Sequence, residues 1–206
     1  MHYRKWVNIV MCAAIVGFYG KSGSGKTSLL VPLIKKLTQD GYQVATIKQT
    51  DKHIGVDTSG KDTCKHQEAG STMTVFSSPV ETDILLKEKR SVQQIVDIIQ
   101  RIGTYDIVLV EGANEPHIPK IRVGDCEERE QTIGVYNDNL ETILELVKEK
   151  IHESNDYLEK NSIQVKINGK TVQLSEFPSL FIKNTIIGML STLKGVDDVR
   201  TVEITF

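Results

Sequence analysis

The chain has 206 residues, 39% of them hydrophobic, which supplies the core of one α/β domain of ordinary size with some chain left over. Its 25 basic and 27 acidic side chains give a net charge of −2, so bulk attraction to nucleic acid or to an anionic membrane is excluded and any anion site must be built locally. Cys12, Cys64 and Cys126 lie far apart without C-x-x-C spacing, which argues against a disulfide framework or a zinc site and fits a reducing cytoplasm.

The first 18 residues, "MHYRKWVNIVMCAAIVGF", place basic residues before an apolar run, as a secretory signal does. Cleavage there would remove a strand that the next segment requires. The run is therefore read as a buried strand over Ala13–Tyr19, with residues 1–11 as an extension or an upstream start. No other stretch approaches the ~20 continuous apolar residues of a membrane span.

Apolar β-type runs follow at Gln43–Lys48, Thr72–Ser77, Ile107–Glu111 and Thr132–Tyr136. Helical periodicity fits Lys26–Asp40, Val92–Ile102 and Leu140–Glu153. Such alternation implies a mostly parallel sheet covered by helices on both faces. Between the second and third strands, "QTDKHIGVDTSGKDTCKHQEAG" is polar and dotted with glycine, a functional loop leading into a short helix around Asp62–Ala69. The charged "HESNDYLEKN" reads as a linker. After it come a strand pair turning at Asn168-Gly169, a helix at Pro178–Lys194 and a last strand, "VRTVEITF". The expected organisation is a nucleotide-binding α/β domain over residues 1–153, a linker over 154–162 and a small α+β appendage of ββαβ order over 163–206.

The first strand is followed by "GKSGSGKTS", in which Gly20, Gly25, Lys26 and Thr27 match G-x-x-x-x-G-K-[ST] between a strand and a helix. Glycines let backbone N–H groups turn inward around phosphate oxygens, and the helix start adds its partial positive charge. Lys26 would reach the β- and γ-oxygens, and Thr27 would offer a hydroxyl to Mg²⁺. Lys21, Ser22, Gly23 and Ser24 complete the loop, and Ser28 follows in the first helical turn. In "DIVLVEG", Glu111 ends a second buried strand, where a carboxylate holds Mg²⁺ directly or through water, while Asp106 begins that strand at the opposite end. "IKQTDKH" places Lys48, Asp51 and His53 at a strand end, with Asp57 and Asp62 beyond, and any of these acids could orient a water toward a γ-phosphate. Singly, each reads more simply as a surface carboxylate, and His53 and His66 as exposed histidines.

This glycine-rich loop, then "TIK" with "VDTSGKDTCKHQEAG", then "LVEGANEPHIPKI", in that order, resembles the MobB family, molybdopterin-guanine dinucleotide biosynthesis protein B, over roughly Ala13 to Ile151. The resemblance implies a GTP- and Mg²⁺-binding P-loop protein with weak hydrolysis, assisting a MobA-type nucleotidyltransferase that attaches GMP to molybdopterin. It implies that Gly20 to Thr27 bind the phosphates and Mg²⁺. Asp57, Gly60, Lys61 and Asp62 would form a loop over them, with Glu111 as the second-strand acid. The chain departs from the family where a histidine-rich run is often found, reading Gln49-Thr50-Asp51-Lys52, and again after V-E-G, where it reads "ANEPH". Residues 164–206 lie outside the basic family pattern and are expected to serve dimerisation or partner docking.

A guanine-reading N-K-x-D is absent, and the nearest substitute is Asn137-Asp138 after the fifth predicted strand. Lys21 resembles the additional lysine of P-loops in dimeric relatives, where it reaches the partner's nucleotide and assists hydrolysis. The expected catalytic set is therefore Lys21, Lys26, Asp57 and Asp62, in a cytoplasmic homodimer without nucleic-acid or membrane partners. Two other readings stay open: an ATP-dependent synthetase or small-molecule kinase, and a non-catalytic nucleotide-responsive adaptor.

Overall fold

A computed structural model describes residues 13–52, 54–55, 60–161, 165–167, 170–172, 176–190 and 192–193. Its centre is β1 (Ala14–Tyr19), an apolar run in which all side chains but that of Ile15 are buried. Continuous burial of this kind marks a strand covered on both faces. β1 leads through the glycine loop into α1 (Lys26–Gln39), which returns the chain to β2 (Val44–Lys48). Then come α2 (Asp62–Glu68), β3 (Met73–Ser77), β4 (Thr82–Leu86) and α3 (Val92–Ile102). β5 (Ile107–Glu111), β6 (Lys120–Val123), β7 (Thr132–Tyr136) and α4 (Leu140–Asn161) complete the main domain.

Five strands form one parallel sheet in the order β2-β5-β1-β6-β7. The carboxyl ends of β2, β5 and β1 thus share one edge, and the chain leaves β1 at the point where strand order diverges to either side. In open parallel sheets that crevice is where ligands bind.

Strand alternation divides the core in two. Val16, Phe18, Ile107, Leu109 and Ile121 meet Leu29, Leu33 and Leu37 of α1 and Ile143, Val147 and Ile151 of α4. On the opposite face Ile47, Val108 and Val110 meet Val92 and Val96 of α3. A capping box fixes the start of α3: the Gln94 backbone N–H donates to Ser91 Oγ at 3.2 Å, and the Ser91 N–H donates to Gln94 Oε1 at 3.1 Å.

The mostly parallel, helix-covered sheet matches the sequence expectation, with three local differences. The run at Thr72–Ser77 does not join the main sheet. β3 pairs antiparallel with β4 in a separate hairpin, closed by a turn in which Ser78 Oγ accepts from the N–H groups of Val80 and Glu81. β6 was not expected, because "KIRV" is short and half charged. The stretch read as a linker is helical, since α4 runs on to Asn161, ten residues beyond Ile151, the last of the helix's described side chains in the core cluster.

Of the appendage, the structure describes β8 (Val165–Ile167) paired antiparallel with β9 (Lys170–Val172), and α5 (Glu176–Leu190). The expected turn at Asn168-Gly169, the last strand and residues 1–12 lie outside the described residues. Among the described residues no helix is long and apolar enough to cross a membrane.

Candidate phosphate-binding site

The loop from Gly20 to Gly25 crosses the carboxyl edge of the sheet between β1 and α1. Gly23 and Gly25 have φ of 77° and 90°, left-handed values that cost an L side chain energy, and Gly25 sits at the N-terminal cap of α1. At Gly20 the constraint is space: a Cβ there would stand 2.1 Å from the Val123 carbonyl oxygen at the end of β6. The loop therefore rests on β6, a strand that motif reading left out. No side chain caps α1, and its first turn holds no acid. The helix start thus offers its backbone donors and partial positive charge to an external anion.

The Lys26 ammonium lies over the loop, donating to the carbonyls of Gly20 at 2.9 Å and Lys21 at 2.7 Å. Ser24 Oγ is a further acceptor at 3.5 Å. Thr27, one residue on, donates its hydroxyl to Glu111 Oε1 at 2.8 Å. Those two residues are 84 apart in sequence, yet parallel pairing aligns Phe18 with Glu111 and Glu111 with Lys48. The same Glu111 oxygen is 3.3 Å from the Lys48 ammonium, with Glu111 mostly buried and Lys48 exposed. A hydroxyl, a carboxylate and the Lys48 ammonium thus meet at one strand edge.

Behind Glu111 the chain turns sharply. Gly112 has φ of 87°, and a Cβ on it would stand 2.7 Å from the Gln49 carbonyl oxygen. The Gly112 N–H donates to the Phe18 carbonyl at 2.8 Å, and the Gln49 N–H donates to that of Glu111 at 2.8 Å, tying three strand ends together.

A polar network that the sequence did not reveal supports the residues that follow. Gln49 Nε2 donates to Glu115 Oε1 at 2.8 Å, and the Asn114 N–H donates to the other carboxylate oxygen at 3.1 Å. Burial pushes the Glu115 carboxyl upward, but these hydrogen bonds outweigh it and hold it below the usual range. Lys120 is buried, packs beside Gly17 and donates to the Glu115 carbonyl. Burial and the nearby Arg129 charge lower its pKa. Arg129 stacks over Tyr19 at 4.9 Å and donates to the Ala113 carbonyl at 3.0 Å. The Gln49–Glu115, Lys120–Gly17, Arg129–Tyr19 and Arg129–Ala113 contacts join segments distant in sequence, so no local pattern could announce them.

The structure places Gly20, Lys26, Thr27 and Glu111 close together at this sheet edge, with exposed Lys21 and Ser22 on the loop and exposed Ser28 in the first turn of α1. Asp62 does not join them in any described contact. It lies exposed in the first turn of α2, where it accepts from Lys65 at 2.9 Å. Asp57 and His53 lie outside the described residues. Asn137 and Asp138 are exposed beyond the end of the sheet-edge strand β7, Asp138 with φ of 56°, just before Asn139 caps α4. Asp106 sits at the far end of β5, accepting from the Gln43 N–H at 2.6 Å.

A parallel sheet flanked by helices, with a lysine- and threonine-bearing glycine loop facing a strand-end acid, defines a protein of the P-loop nucleoside triphosphatase class. Residues 15–149 match the family model described as molybdopterin guanine dinucleotide synthesis protein B, MobB, and the chain belongs to that family. A provisionally named molybdopterin-guanine dinucleotide biosynthesis adapter protein of Methanocaldococcus jannaschii is 24% identical over 229 residues, covering 92% of this chain and 96% of that protein. The adapter protein of Haemophilus influenzae is 36% identical over 109 residues, 52% of this chain and 61% of its own length. Among solved structures, Bacillus subtilis MobB matches with a TM-score of 0.53 at 20% identity, over 66% of this chain and 97% of its own.

Proposed function

We propose that the chain binds GTP with Mg²⁺, hydrolyses it weakly, and assists a MobA-like guanylyltransferase in attaching GMP to molybdopterin. The observation that carries the nucleotide part is the Thr27–Glu111 contact beneath the loop. Two hard oxygen donors from distant segments converge there, as a Mg²⁺ site requires, and the Lys48 ammonium shows that the carboxylate already accepts a cation. Among the described residues no group of three or more His, Cys, Asp or Glu side chains gathers that could hold a metal by itself, so the ion here would be shared with phosphate oxygens. Thr27 and Glu111 would hold the ion, with phosphate oxygens and water completing its shell. When bound, Mg²⁺ neutralises charge on the phosphate oxygens.

The chain's own contribution is positional. Backbone N–H groups of the loop and of the α1 start receive the phosphates, Lys26 exchanges its carbonyl acceptors for phosphate oxygens, and Gly112 fixes the angle at which Glu111 arrives. Asp57 and Asp62 are proposed to complete the site by orienting the attacking water, and Asn137-Asp138 to read guanine. The adapter role is supported by family membership and by the relatives, which are named as molybdopterin-guanine dinucleotide biosynthesis adapter proteins.

A cytoplasmic homodimer is part of the same reading. Met73, Val75 and Ile84 stand exposed on one face of the β3–β4 hairpin, an apolar surface suited to a second copy. Lys21, exposed on the loop, is the cation proposed to serve the partner's site.

The test is a multiple-turnover assay with GTP or ATP, with and without molybdopterin and its guanylyltransferase. The proposal expects slow GTP turnover alone and faster cofactor formation when transferase and chain are combined. Rapid turnover on a small-molecule substrate, or no effect on the transferase, would contradict it. Mixing Lys21→Ala with Lys26→Ala protein should restore part of the hydrolysis lost in each.

A further inference from the structure

We infer that Lys48 holds the place of the divalent cation at Glu111 when the site is empty and, once the cation is held there, grips the terminal phosphate of the nucleotide. The inference deepens the reading of this site as one for a Mg²⁺-bound nucleoside triphosphate and rests on it.

Three observations lead here. The backbone of Lys48 is fixed, because parallel pairing sets it directly beside Glu111 and the Gln49 N–H donates to the Glu111 carbonyl at 2.8 Å. Its side chain is free to move, with relative exposure of 68% against 15% for Glu111. Its ammonium and the Thr27 hydroxyl share one oxygen, Glu111 Oε1, at 3.3 Å and 2.8 Å. A single carboxylate oxygen thus separates Lys48 from the hydroxyl that the metal would need.

A cation at Glu111 oxygen and the Lys48 ammonium cannot share that oxygen without repulsion, so one displaces the other. Displacement costs little, since an ion pair with one partner so exposed contributes little to stability. The freed ammonium remains tethered at the end of β2, on the side of Glu111 away from the loop and Lys26. A triphosphate with one divalent cation still carries net negative charge, and Lys26 neutralises only part of it. The end of the phosphate chain beyond the metal is the acceptor within reach. A diphosphate offers no group there, so Lys48 would distinguish the two nucleotides.

The experiment measures GTP and GDP affinity calorimetrically in the presence of Mg²⁺, for the full chain and for Lys48→Ala and Lys48→Arg. Mn²⁺ binding to the GDP complexes is read by electron paramagnetic resonance. Lys48→Ala should lower the GTP-to-GDP affinity ratio by about tenfold, the scale of one charge-assisted hydrogen bond. It should also tighten Mn²⁺ binding a few-fold, because Glu111 loses its competing cation. Lys48→Arg should keep most of the preference for GTP. An unchanged ratio, equal losses for GTP and GDP, or unaltered Mn²⁺ binding would each overturn the inference while leaving the site reading intact. Failure of the unmodified chain to bind either nucleotide would overturn both.

Discussion

Replacing Gly112 by alanine tests whether the turn behind Glu111 is as tightly set as its surroundings indicate. The residue has φ of 87°, where an L side chain costs about 1–2 kcal/mol. The new Cβ would stand 2.7 Å from the Gln49 carbonyl oxygen, a backbone atom held in place by the Gln49–Glu111 hydrogen bond. Relieving that overlap means moving the end of β2 or of β5 by several tenths of an ångström, which adds about 1–3 kcal/mol. Urea unfolding should therefore show a loss of about 2–5 kcal/mol, a large part of the stability of a typical domain. Gly41 supplies the control: its φ is 92° but nothing lies within 4 Å of its would-be Cβ, so Gly41→Ala should show the conformational cost alone. Glu111 should also shift relative to Thr27, weakening the Mg²⁺ dependence of nucleotide binding. If Gly112→Ala destabilises no more than Gly41→Ala and leaves the Mg²⁺ dependence unaltered, the turn has slack and does not position Glu111.

Lys120 has a folded-state pKa below its unfolded value, so the unfolded chain binds more protons between the two, and its contribution to stability rises with pH until the unfolded value is passed. Lys120→Met should remove that rise, seen as a smaller gain in unfolding free energy between neutral and alkaline pH; identical profiles would refute it. Glu115 runs the opposite way: its lowered folded pKa gives stability that is lost as pH falls below the usual carboxylate range, a loss that Glu115→Gln should not show. A chain ending after Asn161 should retain nucleotide affinity, since every site residue named here precedes α5 and α4 would remain whole; loss of binding by a folded truncation would show that the appendage contributes to the site.

The glycine loop, its flanking strand and helix, and Glu111 were legible because each is a local pattern: small residues where positive φ is needed, a hydroxyl at the helix start, a carboxylate closing an apolar run. The parallel sheet was legible from strand–helix alternation. The hairpin was not, since "MTVFS" has the same composition whether it joins a central sheet or stands apart, and only its pairing with β4 decides. The continuation of α4 was missed for a related reason. Beyond Ile151 the sequence turns polar, "HESND", so the apolar periodicity that would have extended the helix fades. Lys48 was visible as a strand-end lysine, but its relation to Glu111, 63 residues away, exists only through parallel register, and the roles of Gln49 and Arg129 likewise rest on side-chain contacts between segments distant in sequence.

The most direct test of a P-loop site for Mg²⁺·GTP is equilibrium titration of the chain with GTP and with ATP, each with and without Mg²⁺, alongside Lys26→Ala. Removing the Lys26 ammonium takes away charge-assisted contacts worth roughly 2–4 kcal/mol. The expected result is saturable binding of one GTP per chain, stronger than for ATP and dependent on Mg²⁺, with affinity falling by about 1.5 to 3 decades in Lys26→Ala while the variant stays folded by circular dichroism. Equal GTP affinity in the folded variant and the parent, or no binding by the parent, would contradict the assignment of this loop and Glu111 as a nucleotide site.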